Sequence, residues 1–145
     1  MTANLYNTEI LRLAAETAQA VRLSDPHASV ERRSPICGSR VTVDIALGDD
    51  GRVAGVGMLV RACALGQASS ALLARAIVGT SPADLAAASD ALAAWLAGEG
   101  DAPDWPGLIL FEPARPHSAR HASIRLAFEA AAEAAATAAH QRAAA

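Results

Sequence analysis

Cys37 and Cys63 are the only thiols in the chain. Thiolate is both a sulfur nucleophile and a ligand for zinc and iron, so their separation in space decides whether they work together. The run Gly48-Asp49-Asp50-Gly51 is turn chemistry between two strand-like stretches. In a hairpin closed there, facing residues carry numbers that total about 99 or 100, give or take a bulge, as 37 and 63 do. Both thiols are therefore expected side by side at the hairpin's open end, about 5 Å apart at the backbone. Cys63 also falls where strand gives way to helix, a place where unpaired backbone N–H groups attract negative charge. Gly38 beside Cys37, and Ala62 and Ala64 around Cys63, leave room for approach. Two other readings stay open: such cysteines can be small buried hydrophobes, and the same proximity would allow a disulfide.

The elements that must position them follow from pattern. In Arg40–Leu47, Val41, Val43, Ile45 and Leu47 alternate with polar or small residues, as in a half-buried strand. The stretch from Arg52 to Arg61 reads as its returning partner, and residues 28 to 34 as a weaker strand. Apolar spacing predicts a first helix over 5 to 23, stopped by Ser24-Asp25-Pro26-His27. A second helix follows Cys63 and ends at Gly79. A third opens with Ser81 as N-cap, Pro82 in the first turn and Asp84 behind it, and closes at Gly98. Residues 98 to 120 read as a loop in which Leu108–Phe111 is short and extended. A last helix is expected over 123 to 140, with 138 to 145 fraying. Strands early and helices late give an α+β fold, a small antiparallel sheet covered by four or so helices, in one domain over 1 to 145.

Composition narrows the function classes. The chain has 145 residues, a formal charge of −3 and only 3% aromatic residues, which argues against nucleic acid as a partner. No apolar run reaches the length of a membrane helix, and the start lacks the pattern of a signal peptide, so a cytoplasmic setting with reduced thiols is expected. No nucleophile triad, phosphate-cradling glycine loop or acid/base carboxylate pair is visible, and no enzyme activity is expected.

"LYNTEILRLA", "SPICGSRVTVDI" and "VGMLVRACALGQASSALLA" carry a resemblance to the U-type iron-sulfur cluster assembly scaffolds, the IscU, SufU and NifU N-terminal family. It runs from about residue 4 to residue 132. Its most specific parts are Cys63 followed by Ala68, Ser69 and Ser70, and the Pro-x-Cys-Gly around Cys37. The resemblance implies a three-stranded sheet and a surface site where cysteines receive iron and sulfide, or hold zinc. It also implies a cysteine desulfurase and other assembly proteins as partners, with a homodimer left open. The long connection from Ser81 to Ser123 is similar to that of the SufU branch.

Against that pattern, Ser39 stands where such scaffolds carry an aspartate, and no third cysteine exists. Aligning on His121 puts Ala122 at the missing thiol, and aligning on Phe128 puts Ser123 there. A [2Fe–2S] cluster wants four ligands, and a serine hydroxyl stays protonated at neutral pH. The resemblance makes His121 the best substitute donor, beside the lost cysteine, with His117 second on the same loop. An exposed loop histidine is the alternative for His121; His27 and His140 read as surface residues. Arg115, Arg120 and Arg125 lie along the same loop and helix start, as solvated charges or as contacts for an acidic partner. The expected function is a scaffold-like protein binding iron and sulfide, or zinc, through Cys37, Cys63 and His121, or purified with none bound. A persulfide acceptor and a protein-binding module without metal are the alternatives.

Overall fold

The computed structural model describes residues 5–36 and 38–144. Helix α1 spans Thr8–Glu16, opened by Asn7, whose side chain accepts from Ile10 N at 3.0 Å, and it buries Ile10, Leu13 and Ala14. The helix stops well short of the expected Leu23. Thr17 Oγ1 bonds back to Ala14 O, a single 3-10 turn covers Thr17–Gln19, and Ala20 turns extended. Residues 20 to 23 then run as a strap over the sheet, because two tertiary bonds outweigh helix propensity there. Met58 N donates to Val21 O, and Leu23 N donates to the Asp44 carboxylate, each at 3.0 Å.

The sheet has three antiparallel strands in the order β1-β2-β3, with β1 over Ala28–Arg33, β2 over Arg40–Leu47 and β3 over Val53–Arg61. Arg40 faces Arg61 and Ala46 faces Gly55, but Leu47 faces Val53, so a bulge lies between Ala46 and Leu47. The expected hairpin is present, and the bulge shifts the totals of its facing pairs by one residue. Val41, Val43 and Ile45 are fully buried on one face. Across that face lies α4, His121–Ala144, whose Ala127, Ala130, Ala131, Ala134 and Ala135 are buried and let the helix axis sit close to the strands.

Helix α2 spans Ala64–Ala76 and α3 spans Pro82–Leu96. Ser81 is the N-cap of α3 as expected, and with Asp84 it forms a reciprocal capping box. Both helices pack against α4, and α1 packs on α2. The segment between α3 and α4 carries two 3-10 helices, Leu108–Ala114 and Ser118–Arg120, in place of the extended run expected at 108 to 111. Leu108 and Phe111 are buried while Ile109 is exposed, the three-residue period of a 3-10 turn rather than the two-residue period of a strand. Trp105 fastens this segment to the body: Nε1 donates to Leu72 O at 2.9 Å, and its ring meets Phe128 edge-on at 5.2 Å. The last helix starts two residues earlier than expected and runs on to Ala144, with Ala138 buried and Arg142 donating to Gly48 O.

Candidate functional site

The site is built at one end of the sheet, where β3 hands over to α2 and β1 turns into β2. Cys63 is the N-cap residue of α2, with extended backbone (φ −66°, ψ 171°). Its side chain makes no capping bond to the helix; Sγ lies instead 3.1 Å from the Ser123 hydroxyl. Ser123 Oγ is in turn 3.5 Å from Ser39 Oγ, just before β2. Both serines are buried and Cys63 is half-buried against the core, so the thiol rests on a floor made of the Ser123 hydroxyl with the Ser39 hydroxyl beyond it. Either partner of each pair can donate; a thiolate would accept from Ser123.

Two features of α2 hold Ser123 against Cys63. Gly66, in the first turn of α2, lets α4 come close: a Cβ there would sit 3.2 Å from Ser123 O and 3.4 Å from its Oγ. Ser69 Oγ donates to Ile124 O at 2.6 Å, tying α2 to the first turn of α4. Ser70 Oγ closes on Gly66 O within α2. Gly66 and Ser69, in the turns that follow Cys63, thus bring the start of α4 to the thiol. Of the two positions left open for the missing cysteine, the structure selects Ser123 as the one facing Cys63.

His121 begins α4, and its Nε2 lies 3.0 Å from Ala114 O and 2.9 Å from Arg115 O. Both partners are carbonyl oxygens, so Nε2 is the donor to them, and Nδ1 is the ring nitrogen they leave unengaged. The imidazole pins the 3-10 segment to α4, a role that spacing could not reveal. Arg115, one of the arginines weighed for a partner, is also structural: its Nε donates to Trp95 O at 2.8 Å and its guanidinium stacks on the Trp95 ring at 5.2 Å. Cys37 lies outside the described residues, so the expected pairing of the two thiols is not described; the flanking loop is closed by Ser34 N donating to Ser39 O at 2.8 Å.

Sequence reasoning missed Asp44. Its carboxylate is fully buried on the outer face of β2 and accepts from Arg22 Nε at 2.7 Å, Arg22 Nη2 at 2.9 Å, the Ser29 hydroxyl and Leu23 N. Burial alone would raise its pKa, but the bonds from Arg22, Ser29 and Leu23 hold it below the usual carboxylate value. The only signal in the sequence was an acidic residue inside a strand, which alternation accommodates as solvent-facing.

Among solved structures, the N-terminal part of a nitrogen-fixing NifU-like protein from Brucella abortus is 38% identical to this chain, covers 94% of it and is itself 96% covered, with a TM-score of 0.88. The chain belongs to the U-type scaffold family of NifU-like N-terminal domains. A second similar structure, a putative iron-sulfur cluster assembly scaffold protein for the SUF system from Fervidobacterium islandicum, shares the fold at TM-score 0.82 and 18% identity, over 90% of this chain and 96% of its own. A hypothetical protein solved at 2.3 Å shares it at TM-score 0.67 and 19% identity, over 88% of this chain and 96% of its own. No family model matches the sequence, and no curated protein matches it.

Among the described residues, no group of three or more histidine, cysteine or acidic side chains is placed to hold a metal ion. Where thiolate or carboxylate would complete a set, the structure puts the Ser39 and Ser123 hydroxyls, and these do not fit a tetrahedral iron or zinc site. No helix among the described residues is long and apolar enough to cross a membrane.

Proposed function

We propose that this U-type domain serves iron-sulfur cluster assembly as a scaffold-like, non-enzymatic protein, with iron, sulfide or zinc as cargo rather than as a resident cofactor. Cys63 is the central donor, Cys37 the second thiol, and His121 a third donor through Nδ1. A cysteine desulfurase and other assembly proteins are its partners. The observation that carries the reading is the position of Cys63: half-buried, at the head of α2, and free of any capping bond to its own helix. The likeness to a NifU-like domain and to a SUF-system scaffold supports it. Protein purified without oxygen is expected to carry iron or zinc, and the metal per chain is expected to collapse in Cys63→Ala. Equal metal in both proteins would overturn the assignment of Cys63.

A second reading is favoured by the hydroxyl floor, which suits a single sulfur better than a four-ligand cluster. In it, the Cys63 thiolate attacks the terminal sulfur of a donor persulfide. A new S–S bond forms at Cys63, the donor's S–S bond breaks, and the donor leaves as a thiolate, with the Ser123 hydroxyl donating to Cys63 sulfur. Mass spectrometry after incubation with a persulfide donor would show Cys63 heavier by one sulfur atom. Unmodified Cys63 beside a loaded donor would end this reading.

A further inference from the structure

The strand register brings three arginines into one row. Arg33 of β1 faces Arg40 of β2, and Arg40 faces Arg61 of β3. Directly opposed residues of an antiparallel sheet share a face, with Cβ atoms about 5 Å apart, so three guanidinium groups rise together from the outer face, away from α4. Like charges placed this way repel, and the chain as a whole is acidic, at −3. Glu31 offsets part of this charge: its carboxylate accepts from Arg33 Nε at 2.9 Å and is also held in its charged form by the nearby Arg40. Among the described residues, neither Arg40 nor Arg61 forms a hydrogen bond or ion pair with a side chain. The row borders the thiol site: Arg40 follows Ser39, and Arg61 is two residues before Cys63. Two apolar side chains flank it in the open, Leu59 beside Arg61 on the same face and Ile36 in the preceding loop, 40% and 69% exposed.

We infer that this row is a docking surface for an acidic polypeptide segment that also carries apolar residues. Carboxylates of the segment pair with Arg40 and Arg61, and its apolar side chains cover Leu59 and Ile36. Charge complementarity selects this occupant. A nucleic acid or an anionic membrane needs a broader basic field than three cations on an acidic protein with few aromatic residues. The inference stands apart from the chemistry at Cys63, since it concerns what binds next to the thiol, and binding can be read with Cys63 replaced.

The test uses the full chain and a short fluorescein-labelled peptide alternating glutamate and leucine, followed by anisotropy. Saturable binding that weakens with added salt is expected, because exposed charge pairs are screened. R40T/R61T is expected to bind about tenfold more weakly, because the two charge-paired contacts are lost together. Removing opposed like charges should leave the melting temperature of R40T/R61T unchanged or raised, so weaker binding cannot be ascribed to unfolding. Arg12→Thr, on exposed α1, is expected to bind as wild type does, and so is Cys63→Ser. The inference is overturned if the peptide does not bind, if R40T/R61T binds it as tightly as wild type, or if single-stranded DNA or phosphatidylserine vesicles compete for the row more strongly than unlabelled peptide.

Discussion

Replacing Ser123 by cysteine tests whether the third ligand position has been located. The Ser123 hydroxyl is 3.1 Å from Cys63 Sγ, so S123C puts a thiol where only a hydroxyl now stands. The larger sulfur enters a buried position beside Gly66, which offers no Cβ to collide with, and overpacking should cost about 1 kcal/mol. The gain is a thiolate ligand. At a zinc concentration one hundredfold above its dissociation constant, bound metal stabilises the variant by about 2.7 kcal/mol. Unfolding entropy of about 2.1 cal/mol/K per residue gives about 0.3 kcal/mol/K over 145 residues, so each kcal/mol moves the melting temperature by about 3 °C. Zinc should then raise the melting temperature of S123C by about 9 °C. If the third thiolate tightens zinc about a hundredfold, wild type at the same zinc sits near its own dissociation constant and gains about 0.4 kcal/mol, or about 1 °C. Differential scanning fluorimetry with and without zinc, under reducing conditions, reads both. Equal shifts in the two proteins would refute the placement of position 123 against Cys63.

Other consequences follow from the packing around the site. Asp44→Ala leaves Arg22, Ser29 and Leu23 without their shared acceptor and should cost about 2 to 3 kcal/mol in urea unfolding at pH 7, discounted because Arg22 is half exposed; a loss under 0.5 kcal/mol would contradict the strap's dependence on it. Because the Asp44 pKa is lowered on folding, its contribution is fully present above the unfolded-state value near 4 and is lost as pH falls through the folded value. Wild type should therefore lose stability on acidification below about pH 4 more steeply than Asp44→Ala, and parallel curves would contradict this. Gly66→Ala would place a Cβ 2.8 Å from Ala62 Cβ and 3.2 Å from Ser123 O, so it should destabilise by about 1 to 2 kcal/mol despite alanine's better helix propensity; a more stable variant would contradict the close approach of α2 and α4.

Local signals made much of this fold readable. Alternation in β2, the Gly48-Asp49-Asp50-Gly51 turn and the Ser81-Pro82-Asp84 start of α3 each act over a few residues, and each is present as expected. The strap at 20 to 23 was not readable, because its extended path is set by Met58 and Asp44, far away in sequence. The 3-10 turns at 108 to 114 were missed because a four-residue apolar run fits either period until Leu72 and Trp105 fix its place. At the site, the sequence showed that a thiol and a carboxylate were lacking, but two alignments were open for the thiol. Only the α2–α4 contact through Gly66 and Ser69 distinguishes Ser123 from Ala122. The His121 ring bonds to Ala114 and Arg115 depend on the path of an irregular segment that no periodicity specifies.

The proposed role of Cys63, uptake of iron and sulfide, can be read directly. The most direct measurement is iron and acid-labile sulfide bound per chain after anaerobic mixing with ferrous iron and sulfide and removal of the excess, in wild type and in Cys63→Ala. Bound iron and sulfide are expected in wild type, with background values in the variant. Matching contents in the two proteins, or none in wild type, would contradict it.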